Sequence, residues 1–297
     1  MARPRGGDTS GPFLILPALS ANLNGAAADG DDPFHWQPRS FLQQMSHSSK
    51  QQPDAGQAFG QRPGAVPVFF YHRIGPLAAN DASRRLTVTP ERFGFQMWMM
   101  AKLGYSTITM DQLCEGLAAG QLPRRKFVIS FDDGFADLYK YALPVLERHR
   151  FTAIVYLVSD RVGQTNGWDD GLGFPLQPLL DWDQVRYMAA RGIEFGSHTA
   201  THARLINLDD SALRDEIVRS RDSIAEHMGA PPRHFCYPYG ASDARVAQAV
   251  QNCGYASAVT TRKGRVKAGC EPFLMPRVKI SKSTGNLRFC FNLALRY

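Results

Sequence analysis

From Gly64 onward, short β-rich apolar runs alternate with stretches of helical periodicity, and this alternation restricts the fold more than any other feature. The strand candidates are Val66–Tyr71, Phe127–Phe131, Thr152–Val158, Ile193–Ser197, His234–Tyr237, Tyr255–Thr260 and Val278–Ser281. Helical patterns fall between them. Thr89-Pro90-Glu91 places a cap and a first-turn proline ahead of Phe93–Leu103, which Gly104 ends. Further helices are expected over Met110–Leu117, Ala136–Arg148, Asp183–Arg191, Ser211–His227 and Ser242–Cys253. Strands separated by helix-length crossovers pair in parallel, so the expected class is α/β. About seven repeats imply a distorted, incomplete (β/α) barrel of about seven strands, with an open parallel sheet as the alternative. Either architecture gathers its chemistry where strands end and loops begin.

Residues 1–63 are rich in Gly, Pro, Ser, Gln, Asn and Asp without sustained periodicity. They read as a disordered extension, with a single domain over 64–297. The net charge is +7, and the extension holds five residues of each sign, so the surplus belongs to the domain. A diffuse excess with no dense Lys/Arg run suits anionic glycans or envelope surfaces and gives no case for nucleic acid. Arg3 and Arg5 followed by Phe13–Leu19 imitate a secretory signal, but the apolar part is short and broken by Pro17. No apolar run reaches the roughly 18 residues of a transmembrane helix. The cysteines (114, 236, 253, 270 and 290) are odd in number and lack close pairing, which reads as core thiols rather than a disulfide framework or a zinc knuckle. The sequence carries no signal for oligomeric state.

Three strand ends carry candidate chemistry. Ser130-Phe131-Asp132-Asp133-Gly134 follows an apolar strand, and adjacent carboxylates there need a cation or a shared proton to coexist. The same letters also suit a plain turn. Gly196-Ser197-His198-Thr199-Ala200-Thr201-His202 spaces two histidines by four, which on a helical turn aims both imidazoles at one ion; the alternative is a capping or surface pair. One carboxylate would complete a facial set with open positions. Phe235-Cys236-Tyr237-Pro238-Tyr239-Gly240 is a rigid bend that could aim the Tyr239 N–H at an oxyanion and its ring at a sugar, or be only a turn.

In this order the motifs resemble the polysaccharide deacetylase family, also called the NodB-homology domain or carbohydrate esterase family 4. The resemblance spans roughly Val66 to Ile280 and includes Phe70-Tyr71-His72-Arg73-Ile74, Thr87-Val88-Thr89-Pro90-Glu91-Arg92-Phe93 and Trp182-Asp183. Its look is that of the biofilm-polysaccharide de-N-acetylase branch. The resemblance implies a NodB-like barrel and a divalent metal, Zn²⁺ first, with Co²⁺, Ni²⁺ and Mn²⁺ as alternatives. It assigns Asp132 as general base, Asp133, His198 and His202 as metal ligands, and Pro238 and Tyr239 as the oxyanion contact; Pro238, Tyr239 and Trp182 are the candidate substrate contacts. A cell-envelope or periplasmic address also comes from the family, with the cytoplasm left open by the weak leader.

Two departures matter. Many members place an arginine before the Pro-Tyr pair, where this chain has Cys236-Tyr237, so Arg277 is the candidate to hold the base. The late Leu-x-His that supplies the family's general acid is missing, since no histidine follows His234. His72, at the end of the first strand, is the candidate replacement, with a pKa raised if nearby carboxylates stabilise its charge; the alternatives are a structural histidine, a water-mediated donor or no dedicated acid. The expected reaction is removal of N-acetyl groups from an amino-sugar polysaccharide or oligosaccharide. The alternatives are O-deacetylation of an acetylated glycan and a catalytically inactive carbohydrate-binding domain.

Overall fold

The computed structural model describes residues 64–77, 85–171, 175–286 and 289. The expectations for residues 1–63 and for Cys290 lie outside the described residues. Seven strands form the barrel: β1 (Val68–Tyr71), β2 (Lys126–Phe131), β3 (Ile154–Leu157), β4 (Glu194–Ser197), β5 (His234–Cys236), β6 (Ser257–Lys263) and β7 (Met275–Lys279). All neighbours are parallel, and β1 pairs with both β7 and β2, which closes the ring. The open sheet is thereby excluded. A two-residue strand, Ser106–Thr107, pairs in parallel with the start of β2 at Lys126–Phe127.

Among the described residues six α-helices accompany the strands: α1 (Pro90–Lys102), α2 (Met110–Ala118), α3 (Leu143–His149), α4 (Trp182–Ala189), α5 (Asp210–Met228) and α6 (Ala244–Asn252). Local chemistry explains their starts. Thr89 accepts from Arg92 N with Pro90 in the first turn, while Thr109 with Gln112 and Asp181 with Gln184 form capping boxes. The helix expected over Ala136–Arg148 is instead a π-helical turn, Leu138–Ala142, running into α3, whose second residue is Pro144. Proline has no N–H to complete an α-helical bond from that position, and the wider turn bridges the gap.

Strand alternation sorts the core. Phe69, Tyr71, Phe127, Ile129, Phe131, Val155 and Leu157 face outward and pack under α1, α3 and α4. Val68, Val128, Ile154, Tyr156, Cys236, Val259 and Met275 form a second cluster, which α2 joins through Met110, Leu113 and Leu117. The third, under α5 and α6, holds Phe235, Tyr237, Ile217 and Val246. The final strand differs from expectation, spanning Met275–Lys279 rather than Val278–Ser281. Pro276 disguised its start, because proline in a strand withholds a ladder donor. The shift places Arg277 inside the strand.

Candidate active site

Arg277 is wholly buried, and its guanidinium grips Asp132 through both terminal nitrogens, at 2.7 Å to Oδ1 and 2.8 Å to Oδ2. Its remaining donors reach Ser130 Oγ, the Thr260 carbonyl and, at 3.2 Å, Cys236 Sγ. The cation lies 4.2 Å from the Phe70 ring centroid. A fork of this kind fixes a carboxylate in plane as well as in charge. Burial alone would raise the pKa of Asp132, but the arginine outweighs it and holds the acid below its ordinary value. Arg277 reaches Asp132 from β7, and Cys236 stands against the guanidinium.

The next residue turns the other way. Asp133 adopts φ 75°, which sends its side chain toward His198 and His202 while Asp132 points at Arg277. Both histidine Nε2 atoms lie 3.4 Å from Asp133 Oδ1, and that buried oxygen has no hydrogen-bond partner. Asp133, His198 and His202 are all buried, and each offers one ligand atom within 4.8 Å of the others. His198 Nδ1 lies 2.7 Å from the Cys236 carbonyl, so that nitrogen carries the proton and Nε2 presents its lone pair. His202 Nδ1 lies 3.1 Å from the Tyr239 hydroxyl. An unpartnered buried carboxylate oxygen facing two imidazole nitrogens is a donor set suited to zinc or a similar divalent ion. Burial would raise the Asp133 pKa, but the two imidazoles hold it well below the usual range.

The histidine geometry corrects one expectation. His198 directly follows β4, and His202 is reached through a non-helical loop with Thr199 and His202 both at φ 69°. No helical turn is involved. Such backbone costs about 1–3 kcal/mol per residue and persists only where neighbours enforce it. Glu216 of α5 is the enforcer: it accepts from Ala200 N at 3.0 Å, Thr201 N at 2.9 Å and Thr201 Oγ1 at 2.7 Å. Sequence reasoning missed it. The signal was a carboxylate on the buried stripe of α5 beside Leu213, Ile217 and Ile224.

A cavity of about 980 Å³ opens over these groups, and His72, Asp132, Asp133, His198, His202 and Tyr239 line it. Pro238 is buried, whereas Tyr239, whose backbone takes φ 61°, is 48 % exposed. His72 faces the cavity from the end of β1, but its pKa moves opposite to the expected rise. Burial lowers it, and the Asp133 and Asp132 charges oppose the shift without reversing it. Trp182 is absent from the cavity lining. As the first residue of α4 it stacks on His227 of α5, with centroids 4.1 Å apart. Trp168 lines the cavity instead, stacked 4.6 Å from His202. Its signal was an aromatic among the turn formers Asn166, Gly167, Asp169 and Asp170, in a loop on the catalytic side.

Residues 119–258 match the family model described as polysaccharide deacetylase. That span holds Asp132, Asp133, His198, His202 and Tyr239 but stops short of His72 and Arg277 on either side. A Bacillus subtilis relative, YxkH, whose name assigns it provisionally to the polysaccharide deacetylases, is 25% identical over 77% of this chain and 76% of its own. The poly-β-1,6-N-acetyl-D-glucosamine N-deacetylase of Staphylococcus epidermidis is 22% identical over 80% of this chain and 86% of its own. In fold, the chain is similar to the Streptococcus pyogenes deacetylase PplD, solved in complex with acetate. The TM-score is 0.68 at 21% identity, over 77% of this chain and 98% of that one.

Proposed function

We propose, from the premise that residues 119–258 place this chain in the polysaccharide deacetylase family, that it is a metal-dependent hydrolase removing N-acetyl groups from an amino-sugar polysaccharide. The observation that carries this reading is the pairing of two adjacent acids with two separate tasks. Asp132 is locked to Arg277 while Asp133 turns its unpartnered oxygen to two imidazoles. The relatives named for poly-β-1,6-N-acetyl-D-glucosamine support the substrate class.

Asp133, His198 and His202 would hold a divalent ion, with Zn²⁺ first and Co²⁺, Ni²⁺ and Mn²⁺ as alternatives. Such an ion supplies Lewis acidity, acidifying a water toward a pKa of about 7 and polarising the acetyl carbonyl. The protein's own groups do the rest. Asp132, ionised and fixed by Arg277, accepts the proton of the attacking water. The Tyr239 N–H meets the developing oxyanion, and Pro238 keeps that turn rigid. His72 delivers a proton to the leaving sugar nitrogen, because an amine anion is a poor leaving group. The exposed Tyr239 ring and Trp168 offer apolar faces to the sugar.

One observation favours a second reading, O-deacetylation of an acetylated glycan: burial lowers the His72 pKa, and an alkoxide needs a donated proton less than an amine does. Acetate release across β-1,6- and β-1,4-linked N-acetylglucosamine oligomers, peptidoglycan and acetyl-xylan separates the two. Turnover of an N-acetylated oligomer with matching free amine is expected. Release from acetyl-xylan alone would replace this reading with the second, and release from none would leave only the binding-domain alternative.

A further inference from the structure

A second cluster of ligand-type side chains occupies the other mouth of the barrel. Asp111 sits in the first turn of α2, Glu194 opens β4 and His234 opens β5. The acids and histidines of the first site follow strand ends, whereas Glu194 and His234 stand at strand starts. Each offers one ligand atom within 4.8 Å of the other two. The His234 side chain is only 4 % exposed, and its Nε2 is buried without a hydrogen-bond partner, although Asp111 Oδ1 stands 3.3 Å away. Its Nδ1 is 2.9 Å from Ser257 Oγ, which satisfies that side of the ring and leaves Nε2 aimed at the carboxylates. Glu194 uses Oε2 to accept from Met110 N. A hollow of about 270 Å³ lined by all three residues opens beside them.

We infer that Asp111, Glu194 and His234 form a second divalent-cation site, suited to Zn²⁺, that clamps α2 to the starts of β4 and β5. A nitrogen and two carboxylates match zinc's preferred donors, and three protein ligands leave a position for water. The like charges of Asp111 and Glu194, brought together with an unpartnered imidazole, are relieved by a cation between them. Arg233, 65 % exposed, now donates to Asp111 Oδ1 at 2.7 Å and competes for that oxygen.

Zinc alone is the probe. Metal-stripped full-length protein carrying His198→Ala and His202→Ala should still bind one equivalent and gain thermal stability from it. Adding Asp111→Asn, a change at a half-exposed position, should abolish both effects. In the otherwise unaltered chain, Asp111→Asn should lower bound zinc from two equivalents to one and leave acetate release intact. Arg233→Ala, which frees Asp111 Oδ1, should shift the zinc isotherm to lower concentration. No zinc in the double-histidine variant, or an equivalent that survives Asp111→Asn, overturns the site. The first ion's assignment is read separately, by whether the histidine substitutions abolish acetate release.

Discussion

Asp132 and Asp133 are chemically identical neighbours, but Arg277 grips the first while the second, at φ 75°, faces two imidazoles. Asp132→Asn should therefore keep its metal and lose about 10²–10⁴-fold in turnover, the range for a positioned base. Asp133→Asn should lose metal affinity, seen as zinc per chain after dialysis. Arg277→Ala leaves Asp132 buried without its counter-charge, a loss of about 3–5 kcal/mol for a broken buried pair. The sign of the pH effect follows from linkage. Because the folded-state pKa of Asp132 is depressed, its contribution is complete above the unfolded carboxylate value and lost as pH falls toward the folded one. Melting temperature against pH should show that acid-side loss in the wild type and less of it in Arg277→Ala. His72 carries the opposite logic for activity. Its protonated form disappears as pH rises through a value below the ordinary imidazole range, so amide cleavage should be favoured on the mildly acidic side. His72→Ala should flatten that limb of the kcat/KM profile and spare an aryl acetate. Equal losses on both substrates would remove His72 from proton transfer.

The elements explain what could be read from letters and what could not. Parallel βα order was legible because each strand is a compact apolar run and each helix announces its cap. Asp132, Asp133, His198, His202 and Tyr239 were legible because they directly follow such runs. Arg277 was named, but its strand was placed three residues late because Pro276 broke the pattern. Trp182 was misplaced because an aromatic on an amphipathic helix looks the same whether it meets a sugar or, as here, the ring of His227. Glu216 and Trp168 escaped because their roles depend on contacts between distant elements, which no local period encodes. Glu216→Ala tests the first of these. It removes three hydrogen bonds from the ligand loop, so metal affinity should fall by about 10–100-fold, as for outer-shell partners generally. Isothermal titration with zinc reads this directly, and an unchanged affinity would show that the loop holds its shape unaided. Gly196 makes the same point through space: a Cβ there would stand 2.6 Å from the Tyr156 ring and 2.7 Å from the His234 carbonyl. Gly196→Ala should therefore cost stability through a displaced β4.

At the scale of the molecule, one closed barrel separates two polar ends. One end carries the cavity over Asp132, Asp133, His198 and His202, and the opposite end carries the Asp111, Glu194 and His234 cluster. Residues 64–297 should suffice for catalysis, so deleting residues 1–62 should leave turnover of soluble oligomers nearly unchanged; loss of soluble protein would show that the extension supports the fold. Among the described residues no helix is long and apolar enough to cross a membrane. The central proposal is metal-dependent hydrolysis of an acetamide at the Asp133, His198 and His202 site. Its most direct test is acetate and free amine measured together on a β-1,6-linked N-acetylglucosamine oligomer, before chelation, after chelation and after zinc is restored. Equal amounts of both products, lost on chelation, regained with zinc, and not regained in His198→Ala/His202→Ala, are predicted. Undiminished release from fully stripped protein, or from the double variant, would contradict it.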